Sequence, residues 1–382
     1  MRIAVFLAAG LTVMTALLHA QSDDDDDEMD NYPLVPSGNH IRFGLRYIGG
    51  PKVSFGELGN IPRNVLVGDT ATVMARTYND GYVNIDTRTD ATGRPIDDGL
   101  TNTWKYNFSS QVTSGGDISF HAYSASTLGA GLKAESGSAA GWELQMGHSI
   151  VRIARKIDVS LVAGFSFSSM NAKTAGSVPA TLNILTDVYS LYGQSPPAPP
   201  YTAPSYTSVP IYDSNGNPLT DSDGSTVTTS RDTTTLLGNR PISRGNSTDT
   251  TDVNGRWQIK GSYYTIRFGP MFQVPVTERL KLSLGLGAAL AYVGSDYLVE
   301  ETITLPDTET VVETQEQSTR SKLLPCFYAD ADAEYWLTER TGFYLGATYQ
   351  KSGSFEQSLN GRTATVDLGS TYGIQSGLSL RF

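Results

Sequence analysis

Three acidic side chains stand at every second position of the 382-residue chain in ADADAE: Asp330, Asp332 and Glu334. A two-residue period puts side chains on one face of a strand, so these three carboxylates look into one compartment. Other strand-like segments place charge in the same alternating way: Arg42, Arg46, Lys105, Glu143, Asp158, Arg267, Lys281 and Arg381. Acids and bases that share an enclosed space have two uses. They can pair into a salt-bridged filling, because buried charge must be paired, or they can line a narrow path for ions.

Other residues that could do chemistry are sparse. Beyond the N-terminal segment the histidines are His40, His121 and His148. Ser149 follows His148, but adjacent strand residues face opposite sides, so the two do not make a nucleophile and its base. DSNGNP and DSDGST approach calcium loops, yet Pro218 sits where the tight turn needs glycine, and no Glu closes either loop. They read as solvated turns, and no metal or cofactor is assigned. Cys326 is the single cysteine, so no intramolecular disulfide can form.

The elements that must position these residues start after residue 20. MRIAVFLAAGLTVMTALLHA has a basic start, an apolar run and a small residue at Ala20, which reads as a cleaved signal peptide over 1–20. An acidic leader, 21–39, contains SDDDDDEMD and reads as solvated and disordered. Without the first 20 residues the chain has 27 basic and 39 acidic residues, which argues against nucleic-acid binding.

From His40 onward, period-two alternation predicts ten strands: 40–48, 104–112, 118–128, 141–153, 157–169, 257–273, 280–294, 322–337, 341–351 and 370–382. RLKLSLGLGAALAY is the clearest, with Leu280, Leu282, Leu284, Leu286, Leu290 and Tyr292 on one face and Lys281, Ser283 and glycines on the other. Short and long connections alternate along the chain, the longest being 49–103, 170–256 and 295–321. The 170–256 segment opens on PATLNILTDVYSLYG, which reads as helical, followed by a proline-rich stretch. Asn79-Asp80-Gly81 is a hairpin-turn signal, and 295–321 reads as two strands continuing to a turn at Pro306-Asp307. All four tryptophans, Trp104, Trp142, Trp257 and Trp336, fall near predicted strand ends, as does Tyr372, which is the pattern of an aromatic girdle.

The chain closes on YGIQSGLSLRF. Tyr372, Ile374, Leu378, Leu380 and Phe382 face one way, Gln375, Gly377, Ser379 and Arg381 the other. A terminal Phe on such a strand resembles the sorting signal of bacterial outer-membrane β-barrel proteins, and the chain from residue 40 to 382 resembles the small barrels of eight to twelve strands. The resemblance implies an all-β fold: a transmembrane antiparallel up-and-down barrel of about ten strands, with short periplasmic turns and long external loops. It also implies outer-membrane lipids and the barrel-assembly machinery as partners. A ten-stranded barrel is only slightly wider than one filled by its own side chains, which favours a charged plug over a conducting, porin-like lumen. Function then reads as structural or as a narrow channel, with ligand binding through the external loops as the alternative. Outer-membrane proteases of the omptin type resemble this architecture, but their chemistry needs an Asp–His pair and an Asp pair at the outer rim. A protease or lipase therefore ranks last.

Overall fold

The computed structural model describes residues 39–153, 157–305 and 311–382. The signal peptide, nearly all of the acidic leader, the turn at 154–156 and the Pro306-Asp307 turn lie outside the described residues.

Eight antiparallel strands form the frame: β1 (Asn39–Ile48), β2 (Ala139–Ile153), β3 (Ile157–Tyr189), β4 (Ser243–Pro275), β5 (Leu280–Thr304), β6 (Val311–Trp336), β7 (Thr341–Lys351) and β8 (Ser370–Arg381). Each pairs with the next, and β8 pairs with β1 from Arg381 opposite His40 to Gly373 opposite Ile48. The ladder hydrogen bonds thus run in a closed ring, which leaves no edge at this level. No helix among the described residues is long and apolar enough to cross a membrane, which says nothing of strands.

The ring has eight strands, not ten. The alternation predicted over 104–112 and 118–128 is real, but it serves layers above the ring. Trp104–Tyr106 joins a small sheet with 76–78, 81–83 and 201–202, and Ile118–Thr127 pairs with the far end of β3. The two segments are one predicted hairpin, so the ring without them still has an even number of strands and both its ends on one side. The expected helix is absent too. Its residues Pro179–Tyr189 belong to β3, which stays paired with β4 from Asp158 to Val188. Leu, Ile and Val suit either state, and a partner strand over the whole length decides for strand. Asn79 and Asp80 do turn a hairpin, with Tyr78 opposite Gly81.

Polarity inverts with height. In the lower ring the outward side chains are apolar: Phe43 is 56% exposed, Leu45 68%, Ile266 62%, Phe327 69% and Leu345 59%. Their inward neighbours Arg42, Arg46, Arg267 and Asp330 are buried. Higher up the same strands the pattern reverses. On β5 the inward residues become Val293, Tyr297, Val299 and Ile303, all buried, while Asp296, Glu300 and Thr302 face out.

A four-stranded sheet of 354–359, 362–367, 52–56 and 132–135 fills the upper ring, bringing Phe55, Val53, Ala364 and Val366 against Tyr297 and Ile259. Its one buried ionic node is Glu301, which accepts from Trp257 Nε1 at 2.8 Å, Arg362 Nε at 2.9 Å and the Gly59 amide at 3.2 Å. Glu301→Ala would strand three donors, the Trp257 indole, the Gly59 amide and Arg362 Nε, while the Arg362 cation keeps Glu316 at 2.7 Å, at a cost of about 2–4 kcal/mol. We expect limited proteolysis to cut the upper region of this variant, while the lower ring keeps the heat-dependent gel mobility of a folded barrel.

Candidate functional site

The lower interior is the candidate site, and every one of the eight strands contributes to it. Arg267 of β4 reaches Glu143 Oε2 of β2 and Asp330 Oδ2 of β6, each at 2.6 Å. Arg42 of β1 lies 3.2 Å from Asp332 Oδ2 and 3.3 Å from Glu334 Oε1, both on β6. Arg46 of β1 sits 3.5 Å from Glu143 Oε2 and donates to Ser166 Oγ of β3 at 2.6 Å. Neutral donors add to the carboxylates of Glu143, Asp330 and Asp332. Tyr344 of β7 donates to Glu143 at 2.7 Å, Thr348 to Asp330 at 2.6 Å, and Gln375 of β8 to Asp332 at 2.7 Å. Ser283 of β5 accepts from Arg42 at 3.3 Å, and the guanidinium groups of Arg42 and Arg267 lie 5.3 Å from the ring centroids of Tyr344 and Tyr328.

Arginine suits this space because its fork bonds two carboxylates at once and stays charged. Glycine at 44, 164 and 346 leaves the room: a Cβ on Gly164 would press on the Arg267 side chain, and one on Gly346 on the Asp332 carboxylate.

A second tier lies below. Arg152 pairs with Asp158 at 2.6 Å, Lys281 is buried, and the Arg381 guanidinium stacks 4.1 Å from the centroid of Trp336. Lys105 is the one predicted interior charge placed elsewhere. It lies in the small external sheet opposite Tyr82 and Thr202, because its strand is not part of the ring.

The predicted tryptophan girdle needs the same correction. Trp104 is buried in the external layers, Trp257 is buried inside the upper ring, and Trp336 is buried inside the base. Only Trp142 and Tyr372, 38% and 43% exposed, face outward. Proximity to a strand end does not fix which face a residue takes. The aromatic belt that does exist is a row of directly paired residues. Trp142 pairs with Phe167, Phe167 with Tyr264, and Tyr264 with Tyr292, along the upper limit of the apolar surface. Tyr349 opposite Tyr372 continues it on β7 and β8.

Above the ring, Asp80 and His121 come together, Oδ2 to Nδ1 at 2.6 Å, and Asp80 also accepts the His121 amide at 2.8 Å. The imidazole stacks on Tyr123. Asp80 thus staples its hairpin turn onto the 118–127 strand. Close by, Arg244 forks onto Asp187 at 2.6 Å through both nitrogens, and the Tyr78 hydroxyl donates to the same carboxylate at 2.5 Å. Burial, with Tyr189 and Asp187 beside it, pushes the Tyr78 phenol above its ordinary value, so it stays a donor.

His148 faces outward at the base and meets Asn39 at 2.9 Å. The ladder slips at Ile150 just beyond it, between the pairs Val159–Val151 and Ser160–Ser149. His40 is buried in the base of the interior. In DSNGNP and DSDGST the first Asp accepts backbone amides two and four residues on, which closes a turn. Among the described residues no three His, Cys, Asp or Glu side chains are grouped to hold a metal.

No protein-family model matches the chain, and no curated protein matches it. Among solved structures, the outer membrane protease OmpT from Escherichia coli is 10% identical, covering 91% of this chain and 97% of that one, with a TM-score of 0.30. Ail, the attachment invasion locus protein of Yersinia pestis, is 9% identical over 90% of this chain and 99% of its own, with a TM-score of 0.24. The P. putida toluene transporter TodX is 9% identical over 91% of each chain, with a TM-score of 0.16. Scores at this level leave the reading of the chain to its own residues.

Removing Arg267 would take the cation from the buried Asp330 carboxylate and leave Glu143 with Arg46 alone, at 3.5 Å. Arg267→Met is expected to lower the stability of the folded barrel by about 3–5 kcal/mol, measured as a drop in the urea midpoint of the heat-modifiable form. The triple change Arg267→Met, Glu143→Gln, Asp330→Asn should recover most of that loss.

Proposed function

We propose that the chain is a bacterial outer-membrane β-barrel with a sealed interior, and that it acts through the structure it holds above the membrane as a surface-binding protein. The observation that carries this reading is the buried polar network inside an apolar exterior: ion pairs join β1, β2, β4 and β6, and neutral hydrogen-bonding side chains bring in β3, β5, β7 and β8. A ring of eight strands is just wide enough to be filled by side chains, and here large paired ones fill it. The outward apolar stretch runs from Tyr264 to Val274 on β4 and from Leu323 to Tyr335 on β6, close to the roughly 9–11 residues a tilted strand needs to cross a bilayer.

The short turns and both ends of the ring then lie on the periplasmic side, and Phe382 closes β8 there, its amide bonded to the Asn39 carbonyl at 3.1 Å. That placement supports delivery by the barrel-assembly machinery. The long segments 49–138 and 190–242 supply part of the sheet inside the upper ring and the layers above it, where loops on a rigid scaffold carry function. A hydrolase reading has the Asp80–His121 pair in its favour, but that pair serves as the staple of a turn.

Two measurements test this. The refolded barrel in a planar bilayer should give no discrete conductance steps. Steps that change when Asp330, Asp332 and Glu334 become Asn, Asn and Gln would restore the channel reading. In single-tryptophan variants, dibrominated lipid should quench Trp142 and leave Trp257 and Trp336 bright. Equal quenching of all three would place the membrane elsewhere.

A further inference from the structure

β4 outruns its neighbour. Its pairing with β5 ends at Val253 opposite Ile303, while its pairing with β3 continues up to Ser243. Over 244–250 β4 therefore has a partner on one side, and among the described residues no strand on the other.

The direction of its backbone groups follows from the ladder. The Asn254 carbonyl accepts from Thr302 Oγ1 on the β5 side. On β3 the Asn171 amide points away from β4, to Ser136 Oγ. Alternation along both strands then sends the N–H and C=O of the even residues, Arg244 to Thr250, toward the side without a strand. The Thr250 amide turns back to its neighbour Asp249 Oδ1 at 2.7 Å, as an amide without a cross-strand carbonyl would.

Parts of two other rising edges are covered. Ile118–Thr127 lines β3, and on β6 Arg320 and the Ser318 carbonyl are bonded by the Glu356 carbonyl and Gln357. The 243–252 stretch is exposed and has neither Pro nor Lys to block pairing. Against it lies a cleft of about 220 Å³ that includes Arg63, Asn183, Asn246 and Thr248. It sits where burial on β3 switches from even residues, Ala180 and Leu182, to odd ones, Leu185 and Asp187, at the seam between the two cores. Arg63 is exposed there and makes no hydrogen bond or ion pair among the described residues.

We propose that the 244–250 edge of β4 docks an extended segment of another polypeptide by strand addition, with an acidic side chain of that segment facing Arg63. The alternating amides and carbonyls call for a peptide backbone, and the free guanidinium calls for a carboxylate. A second copy of this chain does not fit. Copies in one membrane point the same way, so a two-fold axis would set their edges parallel and in step. A parallel ladder joins residue i to i−1 and i+1 of its partner, and in the copy those residues face away.

The inference rests on the superstructure being a binding surface. Conductance tests that reading, whereas the following experiment tests the edge alone. A displayed library of random ten-residue peptides is panned on the full barrel chain in lipid nanodiscs. Enriched peptides should carry an acidic residue and bind Thr248→Pro about tenfold more weakly, since one outward amide and its neighbours' register are lost. They should also lose affinity for Arg63→Glu, and protect the amides of Asn246 and Thr248 from hydrogen exchange. Asn246→Pro serves as an independent edge variant, and heat-dependent mobility verifies that each variant is folded. Peptides that bind both proline variants as well as the parent, a library that yields none distinguishing them, or cross-linked dimers joined through this edge would overturn the proposal.

Discussion

Arg267 bridging Glu143 and Asp330 is the contact on which the rest depends. It ties β4 to β2 and β6 across the interior, so it fixes which side of each strand is inside. Once that is fixed, the two-residue period fixes every other side chain. A one-residue slip of β4 would carry Arg267 into the apolar surface and bring Phe268 or Ile266 into the charged filling. Both changes are costly, so the ion pairs set the register as well as filling space.

The same strands then run through two environments with opposite demands. Below about Tyr292 and Leu323 the interior is ionic and the exterior apolar. Above them the interior is Trp257, Tyr297 and Phe55, and the exterior is Asp296, Glu300 and Thr319. Nothing in the hydrogen-bonded ladder changes at that level, because β5 and β6 pair without interruption from Leu280–Tyr335 to Thr304–Val311. What changes is the solvent each face meets. The ring is therefore one rigid body that carries a sheet-filled, conventionally cored upper half on an inside-out lower half. The interior is filled at both levels, by ion pairs below and by an apolar core above.

Much of this was legible in the chain. ADADAE, RLKLSLGLGAALAY and YGIQSGLSLRF each state their two faces, because a strand that separates two media must alternate. Arg42, Arg46, Glu143, Arg267 and the three acids of β6 could be placed on one side by counting in twos. Trp257 and Trp336 misled for the same reason they were noticed. An indole near a strand end looks like an interfacial anchor, yet each lies on the inward face, where Glu301 and Arg381 hold it. Lys105 and Trp104 misled because a short alternating segment looks the same in a ring and in a side sheet.

By itself, then, the sequence determined the all-β character, the faces of each strand and the residues that would have to neutralise one another. Those follow from local periodicity and from the rule that buried charge needs a partner. Only the tertiary structure decided how many strands close the ring, how far β3 and β4 climb together, and where the pairing of β4 with β5 stops. These are matters of which segment lies beside which, set by non-local hydrogen bonds between residues as distant as Arg42 and Asp332, and no two-residue pattern encodes its own neighbour.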